Sequence, residues 1–196
     1  MSLASSTSAD DDPVVVATRR WVERAVIGLN LCPFAKAVQV RGQVRYVHCP
    51  ATTPQALQAA LADELQALAR ADPAACDTTL LIHPGVLGDF LAFNDFLDVA
   101  DATLEALGLV GVLQVASFHP HYRFAGTARD AIENHTNRSP YPVLHLLRES
   151  SIDAAVAAFP DAADIYERNV ETLRRLGRAG WRRLFADDAP AEGAPS

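Results

Sequence analysis

Positive charge is scarce in this chain of 196 residues, and the scarcity excludes two classes of partner. The sequence has 17 basic and 24 acidic residues, a formal net charge of −7. Proteins that bind the phosphates of nucleic acid or an anionic membrane surface generally carry an excess of positive charge. We therefore expect neither nucleic acid nor membrane as a partner. Lysine is almost absent: Lys36 is the single lysine, and the other basic residues are arginines.

Cysteine and long apolar runs are also in short supply. Cys32, Cys49 and Cys76 are odd in number and form no CxxC pair, which favours a reduced, cytoplasmic setting over a disulfide framework. No apolar stretch approaches the length of a membrane span, and the amino terminus lacks the pattern of a secretory signal. A hydrophobic fraction of 49% nevertheless predicts a globular fold.

The order of elements predicts a single α/β domain over residues 13–185, between disordered tails at 1–12 and 186–196. Apolar runs predict three strands, and helical spacing predicts crossover helices between them, which favours a small, three-stranded parallel sheet. C-terminal helices follow the sheet. The predicted strands are 43–48, 78–83 and 110–118. Three predicted helices begin near Val22, after Thr53 and after Asp89, and three more span 142–149, 151–159 and 162–185.

Histidines stand at the ends of the three predicted strands. His48, His83 and His119 each fall at a carboxyl end. Ligand sites of open parallel sheets lie outside those ends. We therefore expect a site at this rim, with His83 and His119 as candidate catalytic groups.

The segment from Ser117 to Glu149 holds four of the six histidines and several prolines, and polar loops on a rigid scaffold are common places for sites. His119 with His145 and Glu149, four apart on the predicted helix, could form a two-histidine, one-carboxylate set for Zn²⁺, Fe²⁺ or Mn²⁺, and His121 could join it. The alternative is a strand-end turn and an ordinary exposed pair.

Residues just before the predicted helix at 142 could instead bind a phosphate or carboxylate through free backbone N–H groups and an arginine. The candidate substrate-binding residues are Arg123, Asn134, Asn137, Arg138, Ser139 and Tyr141. In the alternative interpretation, Ser139 caps the helix and the asparagines make ordinary turn hydrogen bonds.

Cys32 precedes Pro33, and if Pro33 opened a short helix Cys32 would be its N-cap. The helix dipole and Lys36 would then favour a thiolate, a plausible nucleophile with a histidine as base. A small buried hydrophobic side chain is the other interpretation.

Five blocks together resemble a known family: GLNLCPFA at 28–35, TTLLIHP at 78–84, FNDFL at 93–97, ASFHP at 116–120 and TNRSPYPVLHLLRE at 136–149. They are similar to the bacterial domain-of-unknown-function 1415 family over roughly residues 21–184. The resemblance implies a soluble bacterial protein and carries no established activity or catalytic residues.

Three functional hypotheses follow. The first is a small cytoplasmic enzyme, such as a metal-dependent hydrolase or oxidoreductase, that uses His83, His119 and Cys32 around the metal set. The second is a metal-free enzyme acting on a small anionic metabolite that bears a phosphate or carboxylate. The third is a non-catalytic binding or accessory protein whose histidines pack the loop.

Overall fold

The computed structural model describes residues 11–158 and 164–186. Most of both predicted tails, Phe159, and residues 162–163 of the last predicted helix lie outside the described residues. Asp12, which was predicted to belong to a disordered tail, is instead the N-cap of the first helix. No helix in the described ranges is long and apolar enough to cross a membrane.

The described residues form one four-stranded sheet with helices on both faces. The strands are β1 (Val44–His48), β2 (Thr78–Ile82), β3 (Leu113–Phe118) and β4 (Val143–Arg148). The helices are α1 (Pro13–Trp21), which continues into a π-helical segment (Val22–Ile27), α2 (Ala35–Val40), α3 (Pro54–Arg70), α4 (Phe90–Ala106), α5 (Glu149–Ala158) and α6 (Ile165–Arg183), with a 3₁₀ turn at Ile132–Thr136.

The sheet corrects the predicted three-stranded, wholly parallel arrangement. Its order is β1-β2-β4-β3, with β1 parallel to β2 and with β4 antiparallel to both β2 and β3. The three predicted strands therefore run in one direction, and their carboxyl ends share one rim. The fourth strand lies between two of them and makes the sheet mixed.

The predicted helix at 142–149 is wrong, because Val143–Arg148 is the strand β4. A short apolar run is compatible with either a buried helix or a buried strand, and its periodicity does not separate them. Here the run alternates between two apolar layers: Leu144 and Leu146 face one layer and Val143 faces the other. His145 and Glu149 consequently do not share a helix face.

One face of the sheet packs against α3 and α4. Both helices begin at a predicted cap, since the side chains of Thr53 and Asp89 accept hydrogen bonds from the first-turn N–H groups. The leucines of α3 and the phenylalanines of α4 pack on Leu81 and Leu144 of the sheet. This layer is the main core of the molecule.

The opposite face is covered only in part, by α1, the π-helical segment and the end of α6. Trp21 packs edge-on against Phe118, with ring centroids 5.1 Å apart. Asp12 holds the start of α1 to the sheet, because its carboxylate lies 2.8 Å from Nδ1 of His48 at the end of β1. That hydrogen bond is the largest cause of the lowered pKa of Asp12.

Arg148, at the end of β4, is a buried cation with a structural role. Its guanidinium donates to the carbonyl oxygens of Leu68 (2.6 Å), Ala71 (2.7 Å) and Cys76 (3.2 Å), and the residue is only 7% exposed. Two of these carbonyls lie at the end of α3, where the last turn has no intrahelical donors and the helix dipole favours positive charge. Arg148 therefore joins β4 both to the end of α3 and to the segment that precedes β2.

We expect Arg148→Met to lower the free energy of unfolding by about 2 to 4 kcal/mol, because it removes three hydrogen bonds from a buried guanidinium to backbone carbonyls. Chemical denaturation monitored by circular dichroism measures the loss. The matched control is Arg175→Met, since Arg175 is exposed and its ion pair with Glu171 is long, at 4.0 Å. The control should change stability by less than about 0.5 kcal/mol, and equal losses in the two variants would contradict the capping role.

Candidate functional site

His83 and His119 lie together at the predicted rim, on the side of the sheet that faces α4. Both rings contact Phe93, with centroid separations of 5.7 Å for His83 and 5.0 Å for His119. The strands therefore bring these two candidate catalytic residues together as predicted. Both residues are fully buried.

Each of the two histidines binds the loop between β2 and α4. Nδ1 of His83 is 3.1 Å from the carbonyl oxygen of Val86, and Nε2 of His119 is 3.1 Å from that of Leu87. Nδ1 of His119 accepts from the backbone N–H of His121 at 3.0 Å, so the ring is neutral and both its nitrogens are engaged. Leu87 has a φ of 57°, and the two imidazoles hold the loop in this strained conformation.

Burial lowers the pKa of both rings, that of His83 to about 4. Nε2 of His83 is buried and has no hydrogen-bond partner in the described part of the chain. The geometry is that of two neutral histidines that fasten a loop. Neither residue lines the groove described below.

His145 lies on the other face of the sheet. Its ring is 6.0 Å from that of Phe118, whereas His119, one residue further along, faces α4. Successive side chains of a strand point to opposite faces, so the sheet separates His119 from His145. Glu149 begins α5 beyond the end of β4. The predicted ligands His119, His145 and Glu149 therefore do not converge on one ion.

The polar loop between β3 and β4 uses its asparagines internally. The side-chain oxygen of Asn134 accepts from the N–H of Phe124 (3.1 Å) and the hydroxyl of Thr127 (2.8 Å), and its amide donates to Ala128. Asn137 accepts from the N–H of His119 through its backbone oxygen. These are turn hydrogen bonds, as in the alternative interpretation of the sequence.

The remaining predicted substrate-binding residues do not form an open anion site. Arg138 donates to the carbonyl oxygens of Tyr122 (3.1 Å) and Arg129 (2.6 Å). Ser139 donates to the carbonyl of Tyr141, whose ring packs into the second core layer. Arg123 and His121 are exposed on the surface of the loop.

A groove of about 820 Å³ lies on the partly covered face of the sheet. All four strands contribute residues to its floor, and its walls include residues 32–38 and α5. We call it the open groove, and its defining residues are Cys32, Thr78, Ala116, His145, Leu147 and Ala155. Small-molecule sites are typically concave and mostly apolar, with a few convergent polar groups.

His145 is the polar centre of the open groove. The hydroxyl of Thr78 donates to the carbonyl oxygen of Leu146 at 2.6 Å, so its oxygen accepts from Nε2 of His145 at 2.7 Å. Nε2 therefore carries the ring proton, and Nδ1 is an acceptor. Burial lowers the pKa of His145 to about 4, which keeps the ring neutral at physiological pH. Nδ1 has no hydrogen-bond partner within the described ranges.

Cys32 lines the same groove but does not have the predicted thiolate environment. The helix begins at Ala35 and its N-cap is Phe34, so Pro33 does not open it. Burial raises the pKa of the Cys32 thiol, although the backbone N–H groups of Phe34 and Ala35 act in the opposite direction. The position is half-buried and its thiol is protonated.

The sequence analysis identified Cys32 and His145 as candidate residues. It did not predict that both line one groove on the partly covered face of the sheet. Thr78 was seen only as part of a buried strand, and its role depends on β4 lying next to β2. No group of three or more His, Cys, Asp or Glu residues that could hold a metal ion occurs in the part of the chain that the structure describes.

The family described as "Protein of unknown function (DUF1415)" matches residues 13–183. The match extends from the first residue of α1 to the last residue of α6, so it includes the sheet and the open groove. No curated protein and no solved structure matches the chain.

The lowered pKa of His145 predicts an acid-sensitive fold. Because its folded pKa lies below the ordinary value of 6.5, the unfolded chain binds the proton first as pH falls. Stability should therefore decrease between about pH 6.5 and about pH 4, by up to about 3 kcal/mol from this residue. Denaturation of the protein and of His145→Gln across this range measures the effect. The variant should show a shallower dependence on pH, and an unchanged slope would refute the assignment.

Proposed function

The chain belongs to the DUF1415 family, and we propose that it binds a small amphipathic molecule in the open groove. The observation that carries the proposal is a neutral, oriented imidazole on the floor of a mostly apolar groove of about 820 Å³. A volume of this size suits a ligand of metabolite or drug dimensions.

The polar groups of the groove define the ligand. Nδ1 of His145 accepts a hydrogen bond, so the ligand carries a hydroxyl or N–H donor on its apolar body. Arg41 lines the groove, is exposed, and donates to Gln43, which places a cation where a carboxylate on the ligand could pair with it. Leu80, Ala116 and Leu147 offer the apolar surface between these groups.

This proposal corresponds to a binding protein for a small acid rather than to the metal-dependent enzyme. The predicted site residues His119 and Arg138 already hydrogen-bond to backbone carbonyls of the protein, which supports this choice. In contrast, His145 lines the open groove and uses only Nε2 in its hydrogen bond with Thr78. A ligand that supplies a donor would complete the hydrogen bonding of this imidazole.

A second candidate function is acyl transfer, because Cys32 and His145 line the same groove. In that reaction Nδ1 of His145 takes the thiol proton, the sulfur attacks an ester carbonyl, and the alcohol leaves with the proton. The raised pKa of the thiol and the lowered pKa of the imidazole both oppose this proton transfer. Binding without turnover is therefore the better-supported function.

Occupation of the groove is tested with 8-anilinonaphthalene-1-sulfonate, an apolar probe with an anionic group, and with straight-chain hydroxy acids as competitors. Ala155→Phe fills a wall of the groove and should weaken probe binding by about tenfold or more. Ala157→Phe is the matched control, since Ala157 is exposed on the same helix and does not line the groove. Equal affinity in the two variants would place the probe elsewhere.

The acyl-transfer alternative is tested by incubating the protein with p-nitrophenyl hexanoate and measuring its intact mass. We expect no acyl group on Cys32 and no release of p-nitrophenol above that of the Cys32→Ser variant. A covalent adduct that disappears in both Cys32→Ser and His145→Phe would instead establish the enzyme. In either case Cys32→Ser should keep the affinity for the fluorescent probe, since the thiol is only part of the wall.

A further inference from the structure

The strand β3 is an edge strand, and the register of its one neighbour shows which of its backbone groups point away from the sheet. Glu149 donates its N–H to the carbonyl oxygen of Val112, and β3 continues in register with β4 from that point. Because antiparallel ladders alternate, the even-numbered residues of β3 hydrogen-bond to β4. The backbone groups of Leu113, Val115 and Ser117 therefore point outward.

The neighbouring register supports the same assignment. His83 donates its N–H to the carbonyl oxygen of Pro142, so the even-numbered residues of β4 face β2 and the odd-numbered ones face β3. The odd residues of β4 pair with the even residues of β3. Two independent hydrogen bonds thus give one orientation for the edge.

Two of the six outward groups already have partners. The N–H of Leu113 donates to Leu109 at 3.0 Å, and the carbonyl oxygen of Ser117 accepts from the side chain of Asn137 at 3.4 Å. Four outward groups have no hydrogen bond among the described residues. They are the oxygen of Leu113, the N–H and oxygen of Val115, and the N–H of Ser117.

These four groups are symmetric about Val115, and we propose that β3 pairs antiparallel with β3 of a second copy of this chain. With the two-fold axis at Val115, the two Val115 residues exchange both hydrogen bonds. Each Ser117 N–H then donates to the Leu113 oxygen of the other copy. The pairing satisfies all four free groups on each edge. The two occupied groups fall opposite each other, so the blocked positions also match.

The side chains on the groove face agree with this register. Gln114 lies opposite Ala116 of the second copy, and Val112 lies opposite Phe118. Val112 is 48% exposed, and Phe118 is only partly buried, so the pairing removes apolar surface from water. Gly111 and the exposed Val110 precede the strand, in the turn whose Leu109 carbonyl accepts from the N–H of Leu113.

Pairing of the two edges would make one eight-stranded sheet and extend the groove face across the axis. Gln114, Ala116 and Phe118 line the open groove on the side of β3. On the other face, Asp98, Asp101 and Glu105 of α4 line a hollow beside the same edge. Their mutual repulsion should make the dimer tighter at higher ionic strength.

Disulfide trapping tests the register directly. In a background with Cys32→Ser and Cys76→Ser, Gln114→Cys is mixed with Ala116→Cys under mild oxidation. Residues in such a non-hydrogen-bonded pair have Cα atoms about 4.5 Å apart, within the range that a disulfide accepts. We expect rapid formation of the mixed dimer. Gln114→Cys mixed with Val40→Cys, at an exposed site on α2, should not cross-link at a comparable rate.

Analytical ultracentrifugation of the unmodified protein tests association itself. We expect the mass to rise from that of one chain to that of two with increasing concentration. Ser117→Pro removes an outward N–H, and Val112→Asp places a carboxylate opposite Phe118, so each should weaken the dimer at least tenfold. Val40→Asp is the control and should not. A monomer at all concentrations, or a dimer indifferent to both edge variants, would overturn the proposal without bearing on ligand binding in the groove.

Discussion

The position of β4 at the centre of the sheet is the constraint on which the rest of the structure depends. It pairs with β2 on one side and with β3 on the other, so it alone joins the β1–β2 pair to β3. Its alternation sends Leu144, Leu146 and Arg148 to the layer of α3 and α4. The same alternation places His145 on the floor of the open groove. One six-residue strand thus supplies the main core, the cap of α3 and the polar centre of the candidate site.

The two histidine environments of the molecule have opposite consequences although both lower the imidazole pKa. At the rim, His119 gives both ring nitrogens to the backbone and holds the loop between β2 and α4 closed. In the groove, Thr78 engages only one nitrogen of His145 and leaves the other as an acceptor. A neutral histidine with one oriented and one available nitrogen can recognise a ligand, whereas a fully engaged one stabilises the fold.

The sequence was informative where local chemistry decides the structure. Asp89 and Thr53 cap helices at the expected positions, and the three predicted strands form with a common direction. The rim that contains His83 and His119 follows from that direction. What the sequence could not show was the strand at Val143–Arg148, because a short, mostly apolar run after a proline suits a helix or a strand equally well. The segment becomes a strand because it fits between β2 and β3, and that position exists only in the tertiary structure. Because a helix was predicted there, His145 was paired with Glu149 and the open groove was not predicted.

The late position of β4 in the chain also bears on the order of events during synthesis. On the ribosome, β1 and β2 can pair as soon as both have emerged, but β3 has no neighbour until Val143–Arg148 follows it. The nascent chain therefore carries an unpaired β3, and an α3 without its Arg148 cap, until residues 143–148 have been synthesised. The sheet closes in a single late step, when the strand that holds Arg148 is inserted between its two neighbours. A chain that stops short of this strand contains most of the hydrophobic residues of the protein but has no means of joining its two halves.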